Sequence, residues 1–269
     1  MMQTIRITVT GKYNQTDGYV ELLLGSLGLS GAMKSYNLSR EWENGKTDTI
    51  HIDAEMHELP LGHLGAQDIP VVPSLTPRQM AVRQALDFRD MVRDEPYYVL
   101  DTETTGLERG EIVQIAVLDQ DGRALVYHYV KPTGKIPLEA TAIHGITDAM
   151  VKDAPTWKQT SDELQALLTG KNIVIYNAVY DRKMMHQSAE AAGLPHVDWK
   201  NLCKFWCAME SFAVIYGQWN EYKGSYRWQK LSTAADYFEI EPSTAHDALG
   251  DCMTTLGVCK HISVMPTIE

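Results

Sequence analysis

Residues 97–107 have the sequence YYVLDTETTGL, in which four apolar residues run directly into two carboxylates. The apolar run is typical of a buried strand, and side chains at positions i and i+2 of a strand point to the same face. Asp101 and Glu103 are therefore expected to project together. Two such carboxylates repel each other unless a cation or proton compensates them, and hard oxygen ligands suit Mg²⁺ or Mn²⁺.

Asp-x-Glu alone is a weak motif, because an exposed polar strand end is a common alternative, but three other segments follow it. AIHGIT occupies residues 142–147, NAVYD leaves another apolar strand at 177–181, and HDALGD occupies 246–251. The last of these opens a helix for which Ser243 or Thr244 is the expected cap. In that helix the apolar positions are predicted to face the core, so Asp251 can reach the end of the sheet.

The wider pattern from residue 97 is strand-rich and then helix-rich. Strands are predicted at 97–100, 111–117, 124–130 and 172–176, with Asp121-Gly122 as a tight turn between the second and third. Helices are predicted at 160–168 and at about 179–193, 203–216, 228–238 and 244–261. This order indicates an α/β fold, a mixed sheet flanked by helices.

Residues 1–72 are predicted to form a separate small domain, α+β or β-rich, of unknown role. Residues 5–10 and 47–54 alternate like strands, 19–29 is an apolar segment, and a Pro- and Gly-bearing linker follows. Histidines recur at positions 51, 57 and 63, where scattered histidines are a commoner explanation than a metal site. Residues 73–95 are expected to be linker and helix, with Thr76 as N-cap, and 96–269 to be the main domain.

Composition excludes some classes of protein. The 269 residues are 44% apolar, and no run approaches about 18 uninterrupted apolar residues, so no membrane span and no membrane partner are expected. The N-terminus lacks a signal-peptide pattern and the four cysteines are expected to be free thiols, which together favour a cytoplasmic protein. The net charge of −11 argues against broad, nonspecific duplex binding. It does not exclude a nuclease, because an enzyme that grips only the last few nucleotides of a strand can let metal ions meet the phosphate charge.

These motifs resemble the DEDDh exonucleases, the DnaQ-like branch of the ribonuclease H-like superfamily. VLDTETTGL is close to the family's first motif, and HDALGDC is close to its third. AIHGIT is close to a segment found between the first and second motifs, and the resemblance covers about residues 97–261. The second motif commonly has histidine where Tyr176 stands, and the region 1–72 has no recognised counterpart.

The resemblance implies a catalytic set and two Mg²⁺ or Mn²⁺ ions per site. Asp101, Glu103, Asp181 and Asp251 would hold the ions, and His246 would take the proton from the attacking water. An imidazole changes its charge near neutral pH, which suits a general base. The expected substrate contacts are Thr104, Thr105, Leu107, His144, Asn177 and Tyr180.

A metal-dependent 3′→5′ exonuclease is the implied function. It would release nucleoside 5′-monophosphates from single-stranded or frayed 3′ ends, with DNA favoured over RNA, in proofreading or repair beside a polymerase that the N-terminal region contacts. The alternative is a catalytically weak, nucleic-acid-binding or polymerase-associated protein, against which the intact acid set argues. Aromatic and basic residues between 206 and 230 suit stacking on single strands, although each ring has a core role as its alternative.

Overall fold

The computed structural model describes residues 2–12, 33–43, 47–57, 75–241 and 246–268, with side chains in the last two ranges. The chain divides into two compact units, Met1–Ser74 and Leu75–Glu269. Within the described ranges, no helix combines the length and the apolar character that a membrane crossing needs.

The first unit contains a three-stranded antiparallel sheet in the order β1-β3-β2. Its strands are β1 (Met2–Lys12), β2 (Met33–Glu43) and β3 (Thr47–His57). The predicted strands 5–10 and 47–54 lie within β1 and β3. The predicted apolar segment 19–29, the linker up to Ser74 and the three histidine side chains lie outside what the structure describes.

The second unit begins with helix α1 (Pro77–Asp94), which has the predicted start. The Thr76 hydroxyl accepts a hydrogen bond from the Gln79 N–H at 3.2 Å, and the Gln79 side chain accepts one from the Thr76 N–H at 2.9 Å. This reciprocal pair satisfies two N–H groups that the helix itself leaves unpaired. Phe88 is fully buried against the sheet, so α1 packs with the second unit.

A five-stranded mixed sheet forms the centre of this unit, in the order β6-β5-β4-β7-β8. The strands are β4 (Tyr97–Thr104), β5 (Ile112–Asp119), β6 (Ala124–Tyr129), β7 (Asn172–Ile175) and β8 (Lys204–Cys207). The first three are antiparallel neighbours, whereas β4, β7 and β8 run parallel. The carboxyl ends of β4 and β7 therefore meet at one edge of the sheet.

The remaining described elements connect and cover these strands. The helices are α2 (Leu138–His144), α3 (Asp148–Val151), α4 (Trp157–Leu168), α5 (Ala178–Ala191), α6 (Trp199–Leu202), α7 (Ala208–Tyr216), α8 (Leu231–Tyr237) and α9 (Ala248–Ser263). A two-stranded hairpin, β9 (Trp219–Asn220) with β10 (Ser225–Tyr226), lies between α7 and α8. The predicted fold class, a mixed sheet flanked by helices, is confirmed.

Alternation along β4 separates two hydrophobic cores. Val99 packs on one face with α1, α7 and α9, while Leu100 packs on the other face with α4 and α5. Because strand side chains alternate, Asp101 and Glu103 continue the α9 face. Thr102 continues the α5 face. The sheet thus presents carboxylates toward one helix layer and hydroxyls toward the other.

The helix predicted at 203–216 is wrong in its first part, because residues 204–207 form strand β8. Phe205 pairs with Ile173 of β7, and the indole N–H of Trp206 donates to the Asn172 side chain at 3.1 Å. Aromatic residues favour a pleated, half-buried surface, and β7 offers an open edge for parallel pairing. This tertiary pairing, which local periodicity does not report, prevails over the helical pattern.

The last two predicted helices begin later than expected. Helix α8 begins at Leu231 rather than at 228. Helix α9 begins at Ala248 with Asp247 as its N-cap, not Ser243 or Thr244, which lie outside the described residues. The Asp247 carboxylate accepts a hydrogen bond from the Gly250 N–H at 3.3 Å. A capping aspartate competes well with serine and threonine, so composition alone could not choose between them.

Candidate active site

Three carboxylates converge where β4 and the first turn of α9 meet. Asp101 and Glu103 project from β4 on the α9 side, and Asp251 lies in the first turn of α9. One carboxylate oxygen from each lies within 4.8 Å of the others. The thiol of Cys252 lies 3.6 Å from the carbonyls of Val99 and Ala116, so this turn of the helix sits directly on the sheet.

The electrostatics of the three carboxylates favour a bound cation. Burial, reinforced by the charges of Asp181, Asp251 and Glu103, holds the pKa of Asp101 well above its usual range. Burial and the Asp251 charge raise the pKa of Glu103 to about 8. Burial also raises the pKa of Asp251. No ion pair within residues 75–241 and 246–268 involves these three side chains, so no described Lys or Arg offsets their charge.

The donor set is therefore suited to a divalent metal ion. Carboxylate oxygens are hard ligands, and a doubly charged cation would relieve the repulsion that, together with burial, raises the pKa of these acids. Asp101, Glu103 and Asp251 are close enough together to bind one such ion jointly.

Asp181 approaches the centre from the opposite side of β4. It lies in the first turn of α5, is 3% exposed, and accepts a hydrogen bond of 2.7 Å from the Thr102 hydroxyl. Burial raises the pKa of Asp181, and the Thr102 hydroxyl opposes this rise. Its carboxylate is not one of the three that converge within 4.8 Å. Among the neighbouring charges, however, that of Asp181 has the largest effect in raising the pKa of Asp101.

His246 occupies a turn immediately before α9 and is exposed to solvent. Its backbone has a φ of 59°, a left-handed conformation that is uncommon for a residue other than glycine. The imidazole is near enough to Asp251 that its charge lowers the pKa of that carboxyl. An exposed imidazole beside the acids has the placement that a proton acceptor for water requires.

Gln114 fixes the start of α9 and was not predicted as a site residue. Its side-chain N–H donates to Asp247 Oδ1 at 2.9 Å, and its Oε1 accepts from the Ala248 N–H at 3.0 Å. The Tyr127 hydroxyl donates to the same Asp247 oxygen at 2.8 Å. Gln114 is 3% exposed in a strand otherwise built from apolar residues and a terminal aspartate. That single buried amide was the signal in the sequence.

The loop after β4 carries three of the predicted substrate contacts. The Thr104 hydroxyl lies 2.6 Å from the Tyr180 hydroxyl. The Thr105 hydroxyl accepts from the Glu111 N–H at 2.9 Å, which closes the loop on itself. Leu107 of this loop is 75% exposed. The structure thus brings Thr104 and Tyr180 together and leaves Leu107 free to contact a ligand.

His144 has both ring nitrogens engaged by backbone. Its Nδ1 accepts from the Ile146 N–H at 3.0 Å, so its Nε2 carries the proton and donates to the Thr104 carbonyl at 3.2 Å. Burial lowers the pKa of His144, which favours this neutral form. The side chain therefore supports the Thr104 loop, and it would have to give up a hydrogen bond to contact a substrate.

Asn177 and Tyr176 lie where β7 leads into α5. Asn177 is the N-cap residue of α5 by position, but its side chain makes no capping hydrogen bond. The Tyr176 hydroxyl donates to the backbone carbonyls of Gln229 and Lys230 at 3.1 and 3.0 Å. Tyrosine at this position thus ties the carboxyl edge of the sheet to the segment that precedes α8.

Comparison with known proteins agrees with these motifs. A family model described as "RNase_T: Exonuclease" matches residues 98–259. The chain is 43% identical over 166 residues to a phage protein, "Uncharacterized exonuclease CP81" of Escherichia phage 186, and the match covers 59% of this chain and 84% of the phage protein.

Two further proteins are similar over different shares of their length. The DNA polymerase III subunit epsilon of Escherichia coli K12 is 36% identical over 94 residues, which is 31% of this chain and only 39% of that subunit. A solved structure of "Exonuclease X in complex with 5' overhanging duplex DNA" is 28% identical with a TM-score of 0.45, and it covers 62% of this chain and 90% of that one.

Proposed function

Because the chain belongs to the exonuclease family whose model matches residues 98–259, we propose that it is a metal-dependent 3′→5′ exonuclease. It hydrolyses phosphodiester bonds at the 3′ end of single-stranded or frayed nucleic acid and releases nucleoside 5′-monophosphates. DNA is the favoured substrate. The observation that carries the proposal is the convergence of Asp101, Glu103 and Asp251 within 4.8 Å at raised pKa.

The acids would hold two Mg²⁺ or Mn²⁺ ions, with Asp101, Glu103 and Asp251 as direct ligands and Asp181 completing the set. Bound there, such ions supply Lewis-acid charge stabilisation for the attacking and leaving oxygens. Supporting this assignment, the three converging carboxylates have no described ion-pair partner. The Thr102 hydroxyl keeps Asp181 oriented toward the centre from the other side of the strand.

The remaining roles follow from position. His246 accepts the proton of the attacking water, because its imidazole is exposed beside Asp251. Leu107 contacts the terminal nucleotide, with Thr104, Thr105 and Tyr180 forming the wall behind it. His144 holds the Thr104 carbonyl in place, and Asn177 offers its uncommitted amide to the substrate.

The biological setting is proposed from the relatives. The E. coli relative is named as a polymerase subunit, which supports a role beside a polymerase in proofreading or repair, with residues 1–72 as the partner-contacting region. The four cysteines are unpaired thiols, which supports a reducing, cytoplasmic compartment.

The test is digestion of a 5′-labelled single-stranded oligonucleotide with Mg²⁺ or Mn²⁺, run beside the matched RNA. A 3′→5′ enzyme produces a ladder of labelled strands that shorten stepwise, and EDTA stops it. Immediate release of a labelled mononucleotide would instead establish the opposite polarity. Absence of any metal-dependent product, with Asp101→Asn indistinguishable from the unaltered protein, would favour the binding-protein alternative.

A further inference from the structure

The hairpin between α7 and α8 has aromatic side chains that point in two directions. Trp219 of β9 lies opposite Tyr226 of β10, and their rings meet edge to face with centroids 5.0 Å apart. Tyr226 is 5% exposed and packs with Ala213 and Val214 of α7. These inward rings attach the hairpin firmly to the domain.

Hydrogen bonds hold the hairpin in one conformation. The Gly224 N–H donates to the Asn220 carbonyl at 2.8 Å, and the Lys223 N–H donates to the Asn220 side chain at 3.1 Å. Gly224 has a φ of 60°, which glycine adopts without strain. Arg78 of α1 donates to the Tyr226 hydroxyl at 3.1 Å. The loop is thus a preformed surface rather than one that must order on binding.

The outward side of the hairpin combines exposed rings with positive charge. Tyr222 is 98% exposed and Trp228 is 63% exposed, which is unusual for side chains of this size. Residues 218–230 contain three basic residues and one acidic residue, on a chain whose net charge is −11. In the part of the chain with described side chains, none of the three cations forms an ion pair. Lys223, Arg227 and Trp228 line one groove.

The chain that follows Trp228 is fixed at the edge of the sheet where the carboxylates lie. The Tyr176 hydroxyl holds the carbonyls of Gln229 and Lys230. Tyr176 directly follows β7, whose carboxyl end lies at the same edge as that of β4 because the two strands are parallel. The segment that follows the hairpin therefore lies at the same edge of the sheet as the carboxyl end of β4.

We propose that the outward hairpin surface, formed by Tyr222, Lys223, Arg227 and Trp228, binds the single-stranded portion of the substrate upstream of its 3′ end. The inference rests on the proposed exonuclease function. Bases stack on the two exposed rings, and the two cations contact the phosphates, a combination that tolerates any sequence. Local positive charge offsets the repulsion between an acidic protein and a polyanion.

The test measures binding of a labelled oligothymidylate of about 15 nucleotides by fluorescence anisotropy, in EDTA so that no hydrolysis occurs. Trp228→Ala is expected to weaken binding about tenfold, in line with the loss of one base–aromatic stack, and Trp228→Phe to weaken it less. Lys223→Ala should also weaken binding. Glu221→Ala, the matched change on the same loop, should leave the affinity equal or higher, because it removes a negative charge.

Two comparisons separate this surface from the catalytic centre. A blunt duplex buries its base faces, so Trp228→Ala should not alter the duplex affinity. In the proposed arrangement a dinucleotide occupies only the catalytic centre, so its hydrolysis rate with Mn²⁺ should stay unchanged in Trp228→Ala. If the unaltered protein shows metal-dependent hydrolysis, but Trp228→Ala binds single strands as tightly as the unaltered protein, the binding role of the hairpin surface is overturned and the exonuclease function stands. The binding role is also overturned if Trp228→Ala lowers the oligothymidylate affinity, the duplex affinity and the dinucleotide hydrolysis rate by equal factors. Absence of hydrolysis by the unaltered protein would refute only the proposed activity.

Discussion

The Thr102 hydroxyl donates a 2.7 Å hydrogen bond to Oδ1 of Asp181, across the strand from the face that carries Asp101 and Glu103. The acidic centre is therefore built from both faces of β4. Asp251 reaches it from α9, and Asp181 reaches it from α5. The neutral Thr102 hydroxyl of the first motif thus holds the Asp181 carboxylate of the second motif by a hydrogen bond and lowers its pKa.

Removing that hydroxyl should impair the centre without removing an acid. A hydrogen bond to a carboxylate favours its charged form, so Thr102→Val should raise the pKa of Asp181 further. We expect activity at neutral pH to fall about tenfold, the scale of one charge-assisted hydrogen bond, and the acidic limb of the pH–rate profile to move upward. Thr102→Ser retains the donor and should behave like the unaltered protein. An unshifted acidic limb in Thr102→Val would show that the hydrogen bond has no such role.

The metal-free protein should lose stability as pH rises. Folding raises the pKa of Glu103 from its usual 4.5 to about 8, so the folded state binds more protons between these values. Its stabilising contribution is present below the lower value and lost as pH passes the higher one. Differential scanning calorimetry in EDTA should give a lower Tm at about pH 8.5 than at about pH 6. Mn²⁺ at roughly a hundredfold excess over its Kd should raise the Tm at the higher pH by about 5 °C. A Tm that does not respond to Mn²⁺ would count against a metal centre.

Neutralising one carboxylate should have opposite effects with and without metal. Asp101→Asn removes a charge that burial and four neighbouring acids disfavour, so its Tm in EDTA at about pH 8 should exceed that of the unaltered protein. The same variant should lose the increase in Tm caused by Mn²⁺. Asp153→Asn is the control, because that side chain is 86% exposed and remote from the centre in sequence. A destabilised Asp101→Asn protein would indicate that this carboxylate makes a favourable contact without metal.

His246 should affect turnover and not metal binding. Its imidazole lies beside Asp251 but does not belong to the group of side chains that could hold a metal ion, Asp101, Glu103 and Asp251. His246→Ala should lower kcat by about 10² to 10⁴, the range for a general base, while the Mn²⁺-induced increase in Tm persists. Steady-state digestion kinetics and calorimetry of the same preparation measure both. An unchanged kcat would remove His246 from the catalytic set.

Gln114 should stabilise the start of α9. Gln114→Leu leaves the Ala248 N–H without its acceptor and leaves Asp247 with one donor fewer. The free energy of unfolding should fall by about 1 to 3 kcal/mol, because a buried polar group loses its partner. Urea unfolding measures this change, with Gln120→Leu as the control, because Gln120 is exposed in the turn between β5 and β6. Equal unfolding free energies for the two variants would show that the hydrogen bonds of Gln114 do not stabilise the start of α9.

Much of this architecture was accessible from the sequence because its signals are local. The apolar run before Asp101 and the mostly apolar run of β5 each lie within a few consecutive residues, so strand positions and the two β4 carboxylates could be predicted. The capping box of α1 is equally local, since Thr76 and Gln79 are three residues apart.

The features that were missed depend on contacts between distant segments. Strand β8 forms because Phe205 finds the free edge of β7, which no local pattern of residues 203–207 reveals. The start of α9 is set by a bond between Gln114 and Asp247, 133 residues apart. The Nδ1 and Nε2 hydrogen bonds of His144 likewise depend on loop geometry rather than on residue type.

The most direct test of the central claim is a crystal structure of the protein grown with Mn²⁺, with anomalous scattering recorded at the manganese edge. Anomalous peaks should lie among the carboxylates of Asp101, Glu103, Asp251 and Asp181. A crystal grown at saturating Mn²⁺ that shows no anomalous peak among these side chains would contradict the proposed metal centre. A structure in which Asp251 turns away from Asp101 and Glu103 would contradict it as well.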